Sequence, residues 1–201
     1  MAPDVPRRLL VASHNAGKVR ELRLLLADLP LEVVGLEVVP DLGELPEPYD
    51  TFAANAASKA RTAAAHAGGL ALADDSGLQV PALDNRPGVY SSRYAPTDEQ
   101  RIARLLAEMS DLRGEQRRAR FVCLVALADE TRTLGLWEGV CEGFIAEAPS
   151  GTQGFGFDPV FRHGDRTFAE ITAAEKSQVS HRGAALRAFL HDLPGCLHEP
   201  A

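Results

Sequence analysis

Apolar positions along this chain come in short bursts whose spacing changes from one segment to the next. Leu9 to Ala12 is an apolar run of strand length, and Val19, Leu22, Leu25, Leu26 and Leu29 then recur at helical spacing before Pro30. The pattern predicts a strand, a turn through Ser13–Lys18 and an amphipathic helix. Leu31 to Leu36 reads as a second strand, and Pro40 to Asp50 as a polar, proline-rich loop. Thr51 to His66 is an Ala-rich helix closed by Gly68-Gly69, glycine being the residue that most easily ends a helix. Gly69 to Val80 reads as a buried strand carrying the polar triplet Asp74-Asp75-Ser76. After an irregular segment from Asp84 to Tyr94, Asp98 to Met109 is helical. Arg117–Asp129 and Thr131–Ile145 are two long strands of a hairpin, and a last helix runs from about His181 to Leu193. Strand–helix alternation followed by a hairpin predicts an α/β fold with a mixed twisted sheet and flanking helices. With no repeat and no linker between halves, a single domain over residues 1–201 is expected.

Charge narrows the ligand. With 21 basic and 28 acidic residues the net charge is −7, which argues against nucleic acid or an anionic membrane as partner. A small anionic ligand remains compatible where cations are concentrated locally or a metal supplies the charge. Cys123, Cys141 and Cys196 are widely spaced with no CxxC pair, so neither a zinc site nor a disulfide framework is expected, and a reducing cytoplasm fits. Met1 to Arg8 lacks the apolar core of a signal peptide, and the longest apolar run, Phe121 to Ala128, is too short to span a bilayer.

The residues that can carry chemistry fall in a few segments. Ala73-Asp74-Asp75-Ser76-Gly77-Leu78 places adjacent carboxylates in an apolar strand, where ionised groups persist only if paired, hydrogen-bonded or metal-bound. Side chains alternate along a strand, so both acids reach one site only if the chain turns there, and Gly77 would permit that turn. The other reading is an Asp-Ser-Gly turn between two strands. The strand–loop–helix Ser13-His14-Asn15-Ala16-Gly17-Lys18 is of the kind that binds phosphate at a helix N-terminus. It equally describes a Ser/Asn-capped helix with an exposed lysine. It is not a Walker A loop, because Val19 follows Lys18. Gly154-Phe155-Gly156-Phe157-Asp158-Pro159 offers either a stacking surface for a base, with Asp158 as acceptor, or a turn that tucks both phenylalanines into the core. Lys176, His181 and Arg182 group possible cations at a helix start with Ser180 as its N-cap. They suit a carbonyl-bearing ring or a phosphate, or else form a solvated basic face. Glu47, in a proline-stiffened loop, is either a surface acid or a partner of Asp75 at a metal. Lys59 and Arg61 read as solvated, with Lys59 within possible reach of phosphates.

Taken together and in this order, the motifs SxNxxKxxE (Ser13–Glu21), TFxxNAxxKA (Thr51–Ala60), ADDSGL (Ala73–Leu78), PGVYSxRYA (Pro87–Ala95), GxxGFGFDPxF (Gly151–Phe161) and EKSxxSHRGxAL (Glu175–Leu186) resemble the Ham1 family of inosine/xanthosine triphosphate pyrophosphatases. The resemblance covers nearly the whole chain. It implies two lobes around a nucleotide-binding cleft, a homodimer, and Mg2+-dependent hydrolysis of non-standard purine nucleoside triphosphates to monophosphate and pyrophosphate. It implies a phosphate loop at Ser13, His14, Asn15, Ala16, Gly17 and Lys18, and a general base and metal carboxylate at Asp75. It further implies a substrate contact at Ser76, a further acid near the metal at Glu47, and a base pocket of Phe155, Gly156, Phe157, Asp158, Lys176, His181 and Arg182. The chain departs from the family pattern in several places. Ala54 stands where the pattern has Glu, Asp84-Asn85 where it has Gly-Gly, and Phe157 where Tyr or Trp is common. The loop after Tyr94 is also short. Two rival functions follow from the same residues: a Maf-like pyrophosphatase of modified pyrimidine nucleotides, and a nucleotide sensor without turnover.

Overall fold

The computed structural model describes residues 8–27 and 31–198, with the side chains beyond residue 193 not described. Strand β1 (Arg8–Val11) leads into helix α1 (Ala16–Leu25) and strand β2 (Glu32–Val34). The second strand is shorter than its apolar run, because a turn of 3-10 helix takes over at Leu36–Val38. The predicted end of α1 at Leu29 and Pro30 lies outside the described residues. Helix α2 (Phe52–Ala67) is N-capped by Thr51, whose hydroxyl accepts from the Ala54 amide, and ends on Gly68 in the left-handed conformation. Strand β3 (Leu70–Val80) is followed by β4 (Arg86–Pro87) and helix α3 (Asp98–Glu108). The hairpin β5 (Arg118–Ala128) and β6 (Thr133–Ile145), the short β7 (Phe161–His163) and β8 (Arg166–Thr167), and helices α4 (Ala173–Val179) and α5 (His181–His198) complete the order. The segment predicted as one helix start is two helices: Lys176 belongs to α4, Ser180 ends it, and the Ser180 hydroxyl accepts from the Gly183 amide at 3.1 Å to cap α5.

Among the described residues these strands form one eight-stranded mixed sheet in the order β2-β1-β3-β5-β6-β7-β8, with β4 on β3. β1 runs parallel to β2 and to β3, with Leu9 opposite Leu70 and Val11 opposite Leu72. At its other end β3 pairs antiparallel with β4 through Gln79 and Val80. Pairing at both ends holds β3 extended through the Asp pair, and Gly77 does not adopt the left-handed backbone of a turn. The reading of Asp-Ser-Gly as a turn is thereby overturned.

The chain divides into two compact units. One comprises the described residues up to Asp75, Leu124–Trp137 and those from Ala185 onward; the other comprises Ser76–Cys123 and Glu138–Ala184. The first has an alanine-rich core in which Ala56, Ala60, Ala63 and Ala64 of α2 meet Leu10, Ala71, Ala73, Ala126 and Ala128. Small side chains let the helix backbone lie close on the strands, which fixes where its few polar groups emerge. The second is built on Phe121, Phe161 and Phe168, with Leu78, Tyr94, Leu105, Met109 and Phe157 around them. Burial of each such side chain contributes roughly 1.5–3 kcal/mol. Among the described residues no helix is long and apolar enough to cross a membrane.

Candidate active site

In the first unit, polar groups gather where β1 ends beside the middle of β3. Strand alternation sends the two acids to different partners. Lys18 of α1 lies 3.1 Å from Asp74 Oδ2, while Asn55 of α2 donates to Asp75 Oδ2 at 3.0 Å. Asp74 and Asp75 are 1% and 3% exposed, so both carboxylates depend on these partners. Lys59, one helical turn after Asn55, donates to Glu47 Oε1 at 2.5 Å and to the Asp74 carbonyl at 2.7 Å, and sits 3.9 Å from Asp75 Oδ1. It is buried, which corrects the expectation that it is solvated, whereas Arg61 is exposed as expected. Burial pushes the Asp75 carboxyl up to about 6; Lys59 opposes this, Glu47 adds to it, and Lys18 and Asn55 also pull down. Burial works against the Lys59 charge, but Asp75, Asp74 and Glu47 outweigh it and hold its ammonium above its ordinary range.

The loop between β1 and α1 is both capped and charged. Asn15 Oδ1 accepts from the Gly17 and Lys18 amides at 2.9 and 3.1 Å, so these two donors are taken by the cap. The Ser13 hydroxyl accepts from the Asn15 amide at 3.3 Å. His14 is exposed and donates through Nε2 to the Gly43 carbonyl at 2.8 Å, tying this loop to the one that carries Glu47. Ala16 begins α1 and is exposed. Lys18 is not the exposed lysine of a simple cap: its side chain is 14% exposed, against Asp74.

In the second unit, Lys176, His181 and Arg182 are 5%, 4% and 2% exposed, which rules out a solvated basic face. Arg182 donates through Nη2 to the Ser76 hydroxyl at 3.0 Å. Lys176 reaches Asp158 Oδ2 at 2.6 Å, and the His181 ring stacks on Phe121 at 4.6 Å. The two phenylalanines of the Gly-rich loop part company. Phe157 is 3% exposed and packs edge-on against Tyr94, so it anchors the loop in the core and offers no open face for a base. Phe155 is half-buried, with Lys176 Nζ 4.8 Å and Arg182 Cζ 5.8 Å from its ring centre. Asp158 Oδ2 also accepts from the Phe155 amide at 2.9 Å, which makes this acid a clasp of the loop. Any side chain at Gly154 would collide with that carboxylate, and its left-handed backbone (φ +77°) favours glycine as well.

Asn55 escaped the sequence reading. Its signal is that Asn55 and Lys59 lie four residues apart on the face of α2 that otherwise buries alanine. Polar groups there need a built partner. Among the described residues no three His, Cys, Asp or Glu side chains are grouped to hold a metal by themselves. Glu47 and Asp75 nevertheless converge on one cation, the Lys59 ammonium, so two carboxylates already share a cation-binding position, with the Asp75 carboxyl raised chiefly by burial and further by the Glu47 charge. Mg2+ is commonly held by one or two carboxylates together with substrate phosphates, so this donor set fits it.

Fold and site thus define an α/β protein with a buried ionisable cluster in each of its two units. Residues 9–192 match the Ham1 family, and the chain belongs to it. It is 48% identical over 195 residues to the dITP/XTP pyrophosphatase of Symbiobacterium thermophilum, covering 96% of this chain and 98% of that one. It is 50% identical over 181 residues to the protein of the same name from Thermosynechococcus vestitus, covering 89% and 91%. Among solved structures, a Ham1 protein from Coxiella burnetii superposes with a TM-score of 0.85 at 39% identity, covering 94% of this chain and 99% of that one. A nucleoside-triphosphatase / dITP/XTP pyrophosphatase from Mycobacterium abscessus gives 0.72 at 45% identity, covering 91% and 98%.

Proposed function

We propose that this chain hydrolyses non-standard purine nucleoside triphosphates, namely ITP, dITP and XTP, to the nucleoside monophosphate and pyrophosphate. The observation that carries the reading is the geometry at Asp75: a carboxylate 3% exposed, bonded by Asn55, 3.9 Å from the Lys59 ammonium that Glu47 shares, one residue from the Lys18 pair, and raised by burial to about 6. A carboxylate with a pKa near the working pH is suited to take a proton from water. The names of the relatives at 48% and 50% identity support the same reaction.

In this reading Asp75 accepts a proton from the water that attacks the α-phosphorus, and the bond to the bridging oxygen breaks to release pyrophosphate. Lys18 and Ser13 hold the phosphates, and the dipole of α1 adds to their attraction while its Gly17 and Lys18 amides stay with the Asn15 cap. Glu47 and Asp75 would hold Mg2+, which when bound supplies the charge that neutralises the phosphates. Arg182 and Lys176 have only donors, which suits the 6-oxo group of hypoxanthine or xanthine and opposes the 6-amino group of adenine. Asp158 Oδ2 is engaged by Lys176 and the Phe155 amide, which leaves that oxygen a poor acceptor for the 2-amino group of guanine. The family resemblance adds a homodimer in the cytoplasm.

The test is product analysis with ITP, XTP, GTP, ATP and dUTP in the presence of Mg2+. IMP and XMP with pyrophosphate are expected, and excess EDTA should abolish turnover. Preference for dUTP would favour the pyrimidine-directed alternative. Nucleotide binding without pyrophosphate release would favour a sensor, and undiminished turnover in EDTA would remove the metal from the proposal. Lys18→Ala should weaken ITP and XTP by similar factors, because Lys18 meets phosphates and not the base. A loss confined to one base, measured as kcat/KM, contradicts that role.

A further inference from the structure

Asp98 lies 58 residues before Gly156 in the chain, yet its Oδ2 accepts from the Gly156 amide at 2.7 Å. The helix it begins has no need of that carboxylate as a cap. Thr97 accepts from the Gln100 amide and Gln100 from the Thr97 amide, which completes a capping box without Asp98. Asp98 is itself oriented: Arg101 Nη1 donates to its Oδ1 at 2.5 Å, and Arg101 Nε is braced on the Ala95 carbonyl at 2.8 Å.

The peptide it grips is the informative one. Phe155 is flanked by two peptide N–H groups, its own and that of Gly156. The first donates to Asp158 and the second to Asp98. Carboxylates on both sides therefore fix the backbone angles of Phe155 and so the direction of its ring. Gly154 and Gly156 on either side adopt left-handed φ of +77° and +62°, which without such ties leaves the segment free to rotate. Space for that movement is at hand in a groove of about 490 Å³ lined by Asp98, Ile102, Gly154, Phe155, Gly156 and Pro159 among others.

We infer that Asp98 is a positioning residue for base recognition: it sets the Phe155 ring beside Lys176 and Arg182, and thereby controls how tightly a purine is held. The inference rests on the reading of this loop as the base site. Steady-state kinetics with ITP, together with inhibition by inorganic pyrophosphate, test it. Asp98→Ala should raise KM for ITP about 10-fold with a smaller change in kcat, as expected when a charge-assisted bond that orders a binding group is lost. Inhibition by pyrophosphate should stay within about twofold of the parent, because the phosphate groups are untouched. Asp98→Asn keeps one acceptor for the Gly156 amide and should restore KM to within about threefold. Should the alanine variant fail to fold, Asp98→Ser keeps a polar group at the helix start but is too short to reach the loop, and takes its place. An unchanged KM, or equal weakening of ITP and pyrophosphate, overturns the inference. Phe155→Ala separates the two levels: if it raises KM while Asp98→Ala does not, only the role of Asp98 fails. If neither does, the base-site reading of the loop fails.

Discussion

Asp75→Asn is expected to lower kcat for ITP by at least about 100-fold, the low end of what a positioned general base supplies. The substitution keeps the shape, and the Asn55 amide still finds an oxygen to donate to. What disappears is the proton acceptor and one negative charge at the Glu47–Lys59 cluster. Asp74→Asn should cost less, because Asp74 answers Lys18 and faces away from Asn55. The reverse ranking of the two variants would refute the assignment. The same substitution should stabilise the metal-free protein. Asp75 is raised to about 6 in the folded state, so between the ordinary carboxylate range and that value the folded chain binds more protons than the unfolded one. Its stability therefore falls as pH rises through this window, and above it the ionised carboxylate costs about 1–3 kcal/mol. Asp75→Asn removes that cost, and thermal melting in EDTA at pH 8 should show a higher Tm than the parent, with the difference shrinking toward pH 4. A lower Tm at pH 8 would show that Asp75 stabilises the fold despite its burial.

Arg182→Ala is expected to shrink the ITP-to-ATP ratio of kcat/KM by roughly 5- to 150-fold, about 1–3 kcal/mol. Arg182 is 2% exposed, held on the Ser76 hydroxyl and beside the Phe155 ring. A guanidinium has no acceptor to offer, so a 6-oxo purine gains from it and adenine meets donor against donor. Loss of the guanidinium removes the gain for ITP and the penalty for ATP together, which is why the ratio is more telling than either rate. Truncation of so buried a side chain also leaves a void, so melting curves and pyrophosphate inhibition belong beside the kinetics. Equal losses for ITP and ATP would make Arg182 a phosphate or structural contact.

Much of the fold is legible in local pattern. The helical spacing of Val19, Leu22 and Leu26, the Thr51 cap, the Gly68 stop and the long apolar strands around Asp129-Glu130 each follow from forces acting within a few residues. The motifs are legible as well, including the helix start at Asn15 and the acid pair on β3. Less visible were the faces those residues take. Lys59 reads as solvated, and a solvated face stays open for the Lys176–Arg182 segment, because charge usually is solvated, and the sequence does not show the carboxylates that bury Lys59 and Lys176. Phe155 and Phe157 look equivalent in GFGFDP, yet one packs in the core and the other does not.

Local pattern alone is enough for the order of the long strands and helices and for the mixed α/β class, because periodicity and capping act within a few residues, whereas the short strands β4, β7 and β8 and the break between α4 and α5 carry no such signal. Folding of the whole chain settled that β3 runs straight through Asp74-Asp75, since that depends on β1 and β4 pairing with its two ends. It also decided that Glu47, Asn55, Lys59 and Asp75 form one cluster, and that Asp98 grips a loop 58 residues away. A buried charge is placed by the partner that meets it, and partners so far apart in the chain meet only once it has folded.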